Sequence, residues 1–565
     1  MKLINLIVFV FIFWCHNFYS QNFEWAKGMG GFGQDEGYSI AVDTNGYVYS
    51  TGFFSDTVDF DPGLGTFNLI SKGNKDVFIS KLDSAGNFIW AKSIGGISID
   101  CGVAIILGDD GSIYITGIFY GTTDFDPNVG VYNLTSNGGA DAFILKLSAG
   151  GSFEWAKKIS GMDDIYLAAI DIDELENIYI TGYFKGTYDF DPGVGSFNLT
   201  SFGTYDIFIS KLDNLGNFIW AKQCGKYGYH NGGSSIKVDI NHNVYVSGYF
   251  DNTVDFNPGL GVFDLTSNQI GSEDIFVLKL DSLGEFVWVK QLGGIQINIC
   301  LSIDLDSFGG IYTTGYFRGT SDFDPGVGTY NLTSVSGFDV FVSKLNVDGD
   351  FIWAKNMGGS GFWHEGYSLF VTDNGNTYIT GLFDSIVDFD PGAGTYSLTS
   401  TGEKDVFISK LDSSGNFVFA RKMGGIEIDN GRCILVDRDE NIYIVGDFNG
   451  TGDFDPTGNI FNLTAVGLQD VFVVKLSQSI GVNVIENELD VFLLFPNPTL
   501  NEITLHFKKP VEQAIIRVLN GIGEVIKISQ TSSLSSIIEL PSSKGIYFIQ
   551  VEINGVSSVY KILKQ

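Results

Sequence analysis

The chain is poor in basic residues, histidine, proline and cysteine, and each shortage closes off a reading. Lys and Arg number 33 against 66 Asp and Glu, a formal net charge of −33. Nucleic acid and anionic lipid surfaces are bound through clustered cations, so the charge argues against both as partners. Five histidines serve 565 residues, and no GxSxG, HExxH or P-loop occurs, so the common catalytic motifs are missing. Beyond Cys15 stand only Cys101, Cys224, Cys300 and Cys433, at different offsets and without a CxxC pair. They read as buried small hydrophobes rather than a zinc site or disulfide framework. Eleven prolines contrast with 72 glycines, but the glycines fall at regular places between apolar runs, which is turn usage. After the N-terminus no stretch is apolar for long enough to span a bilayer. The acidic balance suits a soluble extracytoplasmic protein, one able to use divalent cations.

What is present begins with "MKLINLIVFVFIFWCHNFYSQN": an early Lys, about a dozen apolar residues and a polar exit. Residues 1–20 read as a secretory signal peptide with cleavage near Ser20–Gln21. A retained anchor would need a longer apolar run, and Phe13 and Trp14 are not the small residues that precede a lipidated cysteine.

From there the chain repeats. A Thr/Ser/Val-Gly step recurs at Gly52, Gly117, Gly182, Gly248, Gly315, Gly381 and Gly446, every 65 to 67 residues. Each unit offers four strand-like runs, represented first by residues 38–43, 47–54, 76–83 and 88–92, with Asp-x-Asn-Gly or Asp-x-x-Gly turns between them. Runs such as "VFIS" and "FIWA" are apolar on both faces, as in a sheet sandwiched between two others. The ends of the array decide its shape. The Trp-bearing strand occurs at Trp25, Trp90, Trp155, Trp220, Trp288 and Trp353, with Phe419 in seventh place. Its first copy precedes any complete repeat, and the last repeat has none after it. A ring explains that offset, because the N-terminal strand completes the last blade. The expectation is an all-β chain: a seven-bladed β-propeller over residues 21–478, monomeric, closed by its N-terminal strand.

The units "DTNGYVYSTG", "DVFISKL" and "GNFIWAKSIGG" resemble the bacterial β-propeller repeat (SBBP-like) family. The resemblance covers about residues 22–478. It implies the fold and carries no common activity.

After a linker at 479–489 the composition changes: residues 490–565 hold seven Lys/Arg against six Asp/Glu. "EITLHF", "AIIRVLN", "EVIKIS", "GIYFIQVEI" and "SVYKILK" alternate with turns and predict a small antiparallel β-sandwich. Pro496, Asn497 and Pro498, the Gly521–Gly523 turn, and Gly545–Tyr547 followed by Lys561 resemble the type A C-terminal sorting domain of the type IX secretion system. That resemblance implies the secretion machinery as a partner, and export through the periplasm to the cell surface or the medium.

Within every repeat stands one acidic loop: Asp59 and Asp61, Asp124 and Asp126, Asp189 and Asp191, Asp255 and Asn257, Asp322 and Asp324, Asp388 and Asp390, Asp453 and Asp455, each pair around a Phe and before a Pro. Strand alternation sends the Phe inward and both carboxylates outward. Three roles are open. The carboxylates cap turn amides and pair with the Lys of "SKL", such as Lys81 or Lys344; they bind calcium as hard oxygen ligands, without the spacing of established calcium loops; or they touch a ligand. The Asn-Leu-Thr triplets at Asn133, Asn198, Asn331 and Asn462 read as repeat structure.

Two interblade loops break the repeat, 224–233 and 358–368. They set Tyr227, Tyr229, His230, Trp363, His364 and Glu365 on the rim that carries the acidic loops, a composition suited to a glycan or protein ligand. The leading functional reading is a non-catalytic secreted or surface propeller binding a glycan, matrix component or protein. The alternatives are a polysaccharide hydrolase or lyase with His364 and Glu365 as acid and base, and a purely structural module.

Overall fold

A computed structural model describes residues 19–480, 492–495, 499, 501–511, 513–520, 525–541, 543–553 and 556–564. Residues 1–18, which carry most of the expected signal peptide, and most of the expected linker lie outside them. Two compact units result, one comprising Gln21–Gln478 and the other containing the C-terminal tail.

The first unit is a seven-bladed ring. It opens with β1 (Tyr19–Gly31), β2 (Glu36–Val42), β3 (Val48–Phe54), the short β4 (Thr57–Asp59) and β5 (Asn68–Ile70), then β6 (Asp76–Leu82) and β7 (Phe88–Gly96). The second repeat continues with β8 (Asp100–Leu107), β9 (Ile113–Phe119), β10 (Thr122–Asp124) and β11 (Asn133–Thr135). Blade 1 is ordered β2-β3-β6-β7-β10-β11, so its outer edge is a hairpin lent by the next repeat. Asp124 of β10 pairs with Gly95 of β7, and Thr123 with Gly96. Each acidic loop is therefore the turn of a hairpin that straps its own blade to the blade before it. In the fifth repeat the strap is continuous with strands Ile311–Asp322 and Asn331–Leu345, and two blades merge into one ten-stranded sheet.

The repeated Gly-Gly belongs to that junction. A Cβ on Gly95 would lie 2.1 Å from the Asp76 carboxyl carbon, and one on Gly96 would lie 2.2 Å from the Thr122 carbonyl oxygen. A buried carboxylate and the strap backbone both demand glycine there.

Closure follows the expected route. The sheet of blade 7 runs Asp429–Val436, Ile442–Phe448, Asp470–Ile480, β1, β4, β5, so β1 occupies the place of the missing outer strand. Gly30 and Gly31 then pair with Asp59 and Val58 of the first strap. The core lies between sheets, as the doubly apolar strands require. One cluster joins Ile444, Phe472 and Val474 of blade 7 to Val406 and Ile408 of blade 6. The four cysteines of the ring are free thiols.

In the tail, a three-stranded sheet (Phe492–Phe495, Glu502–Phe507, Ser535–Glu539) and a four-stranded sheet (Val525–Thr531, Ala514–Leu519, Gly545–Ile553, Val556–Lys564) share one core. Ile503, Leu505 and Phe507 of the first meet Ile516, Val518, Ile549 and Val551 of the second. This is the expected sandwich. Of its motif residues, Gly545 starts the long strand with φ of 150°. Tyr547 is buried, its hydroxyl donating to the Ser543 carbonyl at 2.9 Å. Lys561 lies in the last strand opposite Phe548. Pro496, Asn497, Pro498, Gly521 and Gly523 lie outside the described residues.

Candidate site at the channel mouth

The seven acidic loops are built alike. The motif phenylalanines Phe60, Phe125, Phe190, Phe256, Phe323, Phe389 and Phe454 are all fully buried. Phe125 sits between Phe119 and Phe143, at 5.2 and 5.0 Å between ring centroids. A wedge of this size contributes about 2–3 kcal/mol by burial. The carboxylates serve the turn. In the fifth loop, Asp322 Oδ1 accepts the amides of Asp324 at 3.0 Å and Tyr330 at 2.8 Å, and Asp324 Oδ1 accepts Gly326 N at 2.8 Å. Asp59 and Asp61, Asp189 and Asp191, and Asp388 and Asp390 repeat this pattern. Asp124 and Asp126 and also Asp453 and Asp455 follow it, with Asn128 and Thr457 in place of the glycine donor. Asn257 caps Gly259 with its amide oxygen, so a neutral side chain does the same work. Among the described residues no three His, Cys, Asp or Glu side chains come together as a metal-holding group.

The Lys of "SKL" does not pair with these loops. Lys81 lies 4.6 Å from the Tyr49 ring centroid and Lys344 4.6 Å from that of Tyr312. Lys344 also meets Asp306 at 3.1 Å. The reason is polarity along the strand: the Lys stands at the far end of the third strand from the strap, beside the first hairpin turn. The same cation–π contact recurs in every blade.

The two symmetry-breaking loops stand at different junctions, between blades 3 and 4 and between blades 5 and 6. In the first, the Asp251 carboxylate accepts the amides of Tyr229 at 2.6 Å and His230 at 3.1 Å. That leaves Tyr227 and Tyr229 largely exposed and brings His230 Nδ1 within 3.3 Å of Glu273 Oε1. In the second, Trp363 stacks on Phe338 at 5.2 Å and carries Lys404 over its ring at 4.9 Å. His364 and Glu365, expected as an exposed acid–base pair, are consecutive strand residues and so face opposite ways. His364 is 0% exposed, with Nδ1 3.5 Å from Asp384 Oδ1. Burial holds its imidazole below the ordinary range and so neutral. Glu365 is also buried, and burial raises its carboxyl.

The mouth of the central channel shows a division that the loops alone do not reveal. The residue after each Thr/Ser/Val-Gly step differs from blade to blade: Phe53, Ile118, Tyr183, Tyr249, Tyr316, Leu382 and Asp447. Over blades 3 to 5 the three tyrosines, with Tyr166, Tyr205, His230, Asn231 and Glu273, line a cleft of about 490 Å³. Tyr166 stacks on Tyr183 at 4.8 Å, and Tyr205 meets Tyr183 edge-on at 5.4 Å. Burial raises the hydroxyls of Tyr166, Tyr183, Tyr249 and Tyr316 above the usual phenol range, so they remain protonated donors. Over blades 7 and 1 stands an ion cluster instead. Arg432 Nε donates to Asp447 Oδ1 at 2.8 Å and its Nη2 reaches Glu36 Oε2 at 3.4 Å, between the rings of Tyr38 and Tyr367. Tyr38 donates to Glu36, and Asn430 and Gln469 to Asp447. Of the residues expected at a binding site, only His230 lines the cleft. The signal for the others was three consecutive tyrosines at one repeat position.

With this geometry in view, residues 493–565 match the model of the secretion system C-terminal sorting domain. The chain is an exported β-propeller carrying a type IX sorting domain, addressed to the cell surface or the extracellular space. Among curated proteins it is similar to an uncharacterized WD repeat-containing protein of Acanthamoeba polyphaga mimivirus, at 25% identity over 75% of this chain and 36% of that one. It is also similar to the regulatory protein FlaEY of Caulobacter vibrioides, at 21% identity over 84% and 49%. The aligned part thus spans half or less of these relatives. Among solved structures, PorZ, a surface component of the type IX secretion system of Porphyromonas gingivalis, aligns over 96% of this chain and 100% of its own. The identity is 11% and the TM-score 0.23, too low to transfer any site.

Proposed function

We propose that this protein is a non-catalytic binding propeller of the bacterial surface or surroundings, holding a glycan, matrix component or protein at its channel mouth. One observation carries the reading: positions that are uniform in function-neutral parts of the repeat diverge at the mouth, where blades 3, 4 and 5 present Tyr183, Tyr249 and Tyr316 around an open cleft. Aromatic bodies with polar tips are the common currency of such recognition. Burial of His364 takes the His364–Glu365 pair out of reach of a substrate, which weighs against the alternative hydrolase built on that pair. The test exposes the purified chain to immobilised neutral and acidic polysaccharides and to matrix proteins, while release of reducing ends is followed. Retention without turnover supports the reading. Turnover, or no retention on any of these surfaces, overturns it.

A further inference from the structure

We infer that the cleft over blades 3 to 5 is a subsite for a neutral saccharide of about two rings; this rests on the binding reading above and narrows it to one place and one chemistry. The volume, about 490 Å³, is in the range of small-ligand sites. Its lining contains no Lys or Arg, and the chain carries a net charge of −33, so an anionic sugar would enter without a counter-charge and against the field.

The arrangement of the rings also decides against a cationic ligand. An ammonium cage needs aromatic faces converging on one point. Here the face of Tyr166 is taken by Tyr183 at an interplanar angle of 24°, and Tyr205 meets Tyr183 at 85°. Tyr166 and Tyr183 thus spend one face each on the other, and no converging cage of faces forms among these three rings. What remains for a ligand is a hydroxyl-rich lining with Glu273 and His230 beside it and Ile299 and Leu301 as its apolar members. Phenol hydroxyls held protonated can donate and accept, as sugar hydroxyls require. Glu273, already beside His230, offers a second oxygen as an acceptor. Isoleucine, leucine, phenylalanine and aspartate at the equivalent positions of the other four blades offer no such row of hydroxyls.

The experiment uses the full chain and a panel of neutral gluco-, galacto- and manno-configured oligosaccharides of two to six rings, with a uronic-acid oligosaccharide and choline as the charged probes. Titration calorimetry should find binding to at least one neutral probe and none to the charged ones. The double variant Tyr249→Phe/Tyr316→Phe removes two hydroxyls and keeps the rings, and should weaken that binding about tenfold or more. Its melting temperature should stay at the unsubstituted value, so that a folding defect is not mistaken for a lost contact. Trp363→Ala, outside the cleft, should leave the affinity unchanged. Neutral-saccharide binding that the double variant does not weaken overturns the cleft assignment but leaves the binding reading standing. So does binding of a matrix protein with no saccharide bound. Choline or uronate bound in preference overturns the neutral-ligand assignment. A chain that binds neither saccharide nor protein removes both.

Discussion

Across the channel mouth, Tyr249 of blade 4 and Asp447 of blade 7 occupy the same place in the repeat and live in opposite circumstances. Asp447 is fully buried and answered by Arg432, Asn430 and Gln469, with Glu36 of blade 1 held by the same guanidinium. Its polar groups are consumed within the protein. This is the seam where β1 completes blade 7, and a cluster joining Arg432 to Glu36 ties the first blade to the last. Tyr249 faces an open cleft instead. One half of the mouth seals the ring, and the other half is free to recognise something. Divergence from a repeat therefore has two meanings, and burial against opening onto a cleft tells them apart.

The largest expected effect comes from breaking the seam. Deleting residues 21–31 removes β1 and exposes the apolar edge of Asp470–Ile480, so calorimetry should show aggregation or loss of a cooperative transition. A truncated ring that melts like the full one would refute closure. Next, Arg432→Ala strands Asp447 and Glu36, and should cost about 3 kcal/mol or more in denaturant unfolding. Tyr249→Phe, at the equivalent mouth, should cost less than about 0.5 kcal/mol.

The halves also differ in how their junctions titrate. At the residue two before each innermost-strand bulge, the seam side has Asp429, Asp35 and Asp100, the cleft side has Ile165, Asn231 and Asn298, and blade 6 has His364. Burial pushes the three carboxyls up to about 7, from about 3.9 unfolded. Their folded form thus binds the proton more tightly, and the stability they contribute is full below about pH 4 and lost as pH rises through about 7. The melting temperature should fall over that interval. Asn298 already donates to Asp274 Oδ1 at 3.2 Å, so Asp429→Asn should form the same bond with Asp405 and flatten the fall. An unchanged pH profile in Asp429→Asn would remove the explanation. The smallest effect belongs to the straps. Asp322→Asn with Asp324→Asn keeps an amide oxygen in each cap, as Asn257 does, and should cost only about a few tenths of a kcal/mol, equally in excess calcium and in chelator. A deficit that appears only with calcium present would make the loop a metal site.

The ring was legible from the repeat because its strongest signals are periodic: Gly52 and its copies, the doubly apolar strands, and the orphan strand at Trp25. The buried Phe of each acidic loop followed from strand alternation. Its strap onto the preceding blade did not, because a three-residue strand has no periodicity of its own and Asp124 meets Gly95 only through the ring. The Lys partners were misjudged for a related reason: Lys344 and Asp322 belong to one repeat but stand at opposite ends of the strands between them. The cleft was missed because exposed loops drew notice to Tyr227 and Trp363. The informative residues, Tyr183, Tyr249 and Tyr316, sit within strands where a tyrosine looks like ordinary β-sheet composition.

The division of the mouth is tested most directly by hydrogen–deuterium exchange of the full chain with and without a bound neutral oligosaccharide. Slowed exchange should appear in Ile178–Phe184, Val244–Phe250 and the 227–233 loop, with Glu36–Val42 and Asp429–Val436 unchanged. Protection centred on those last two strands would place the ligand on the sealed half and contradict the account.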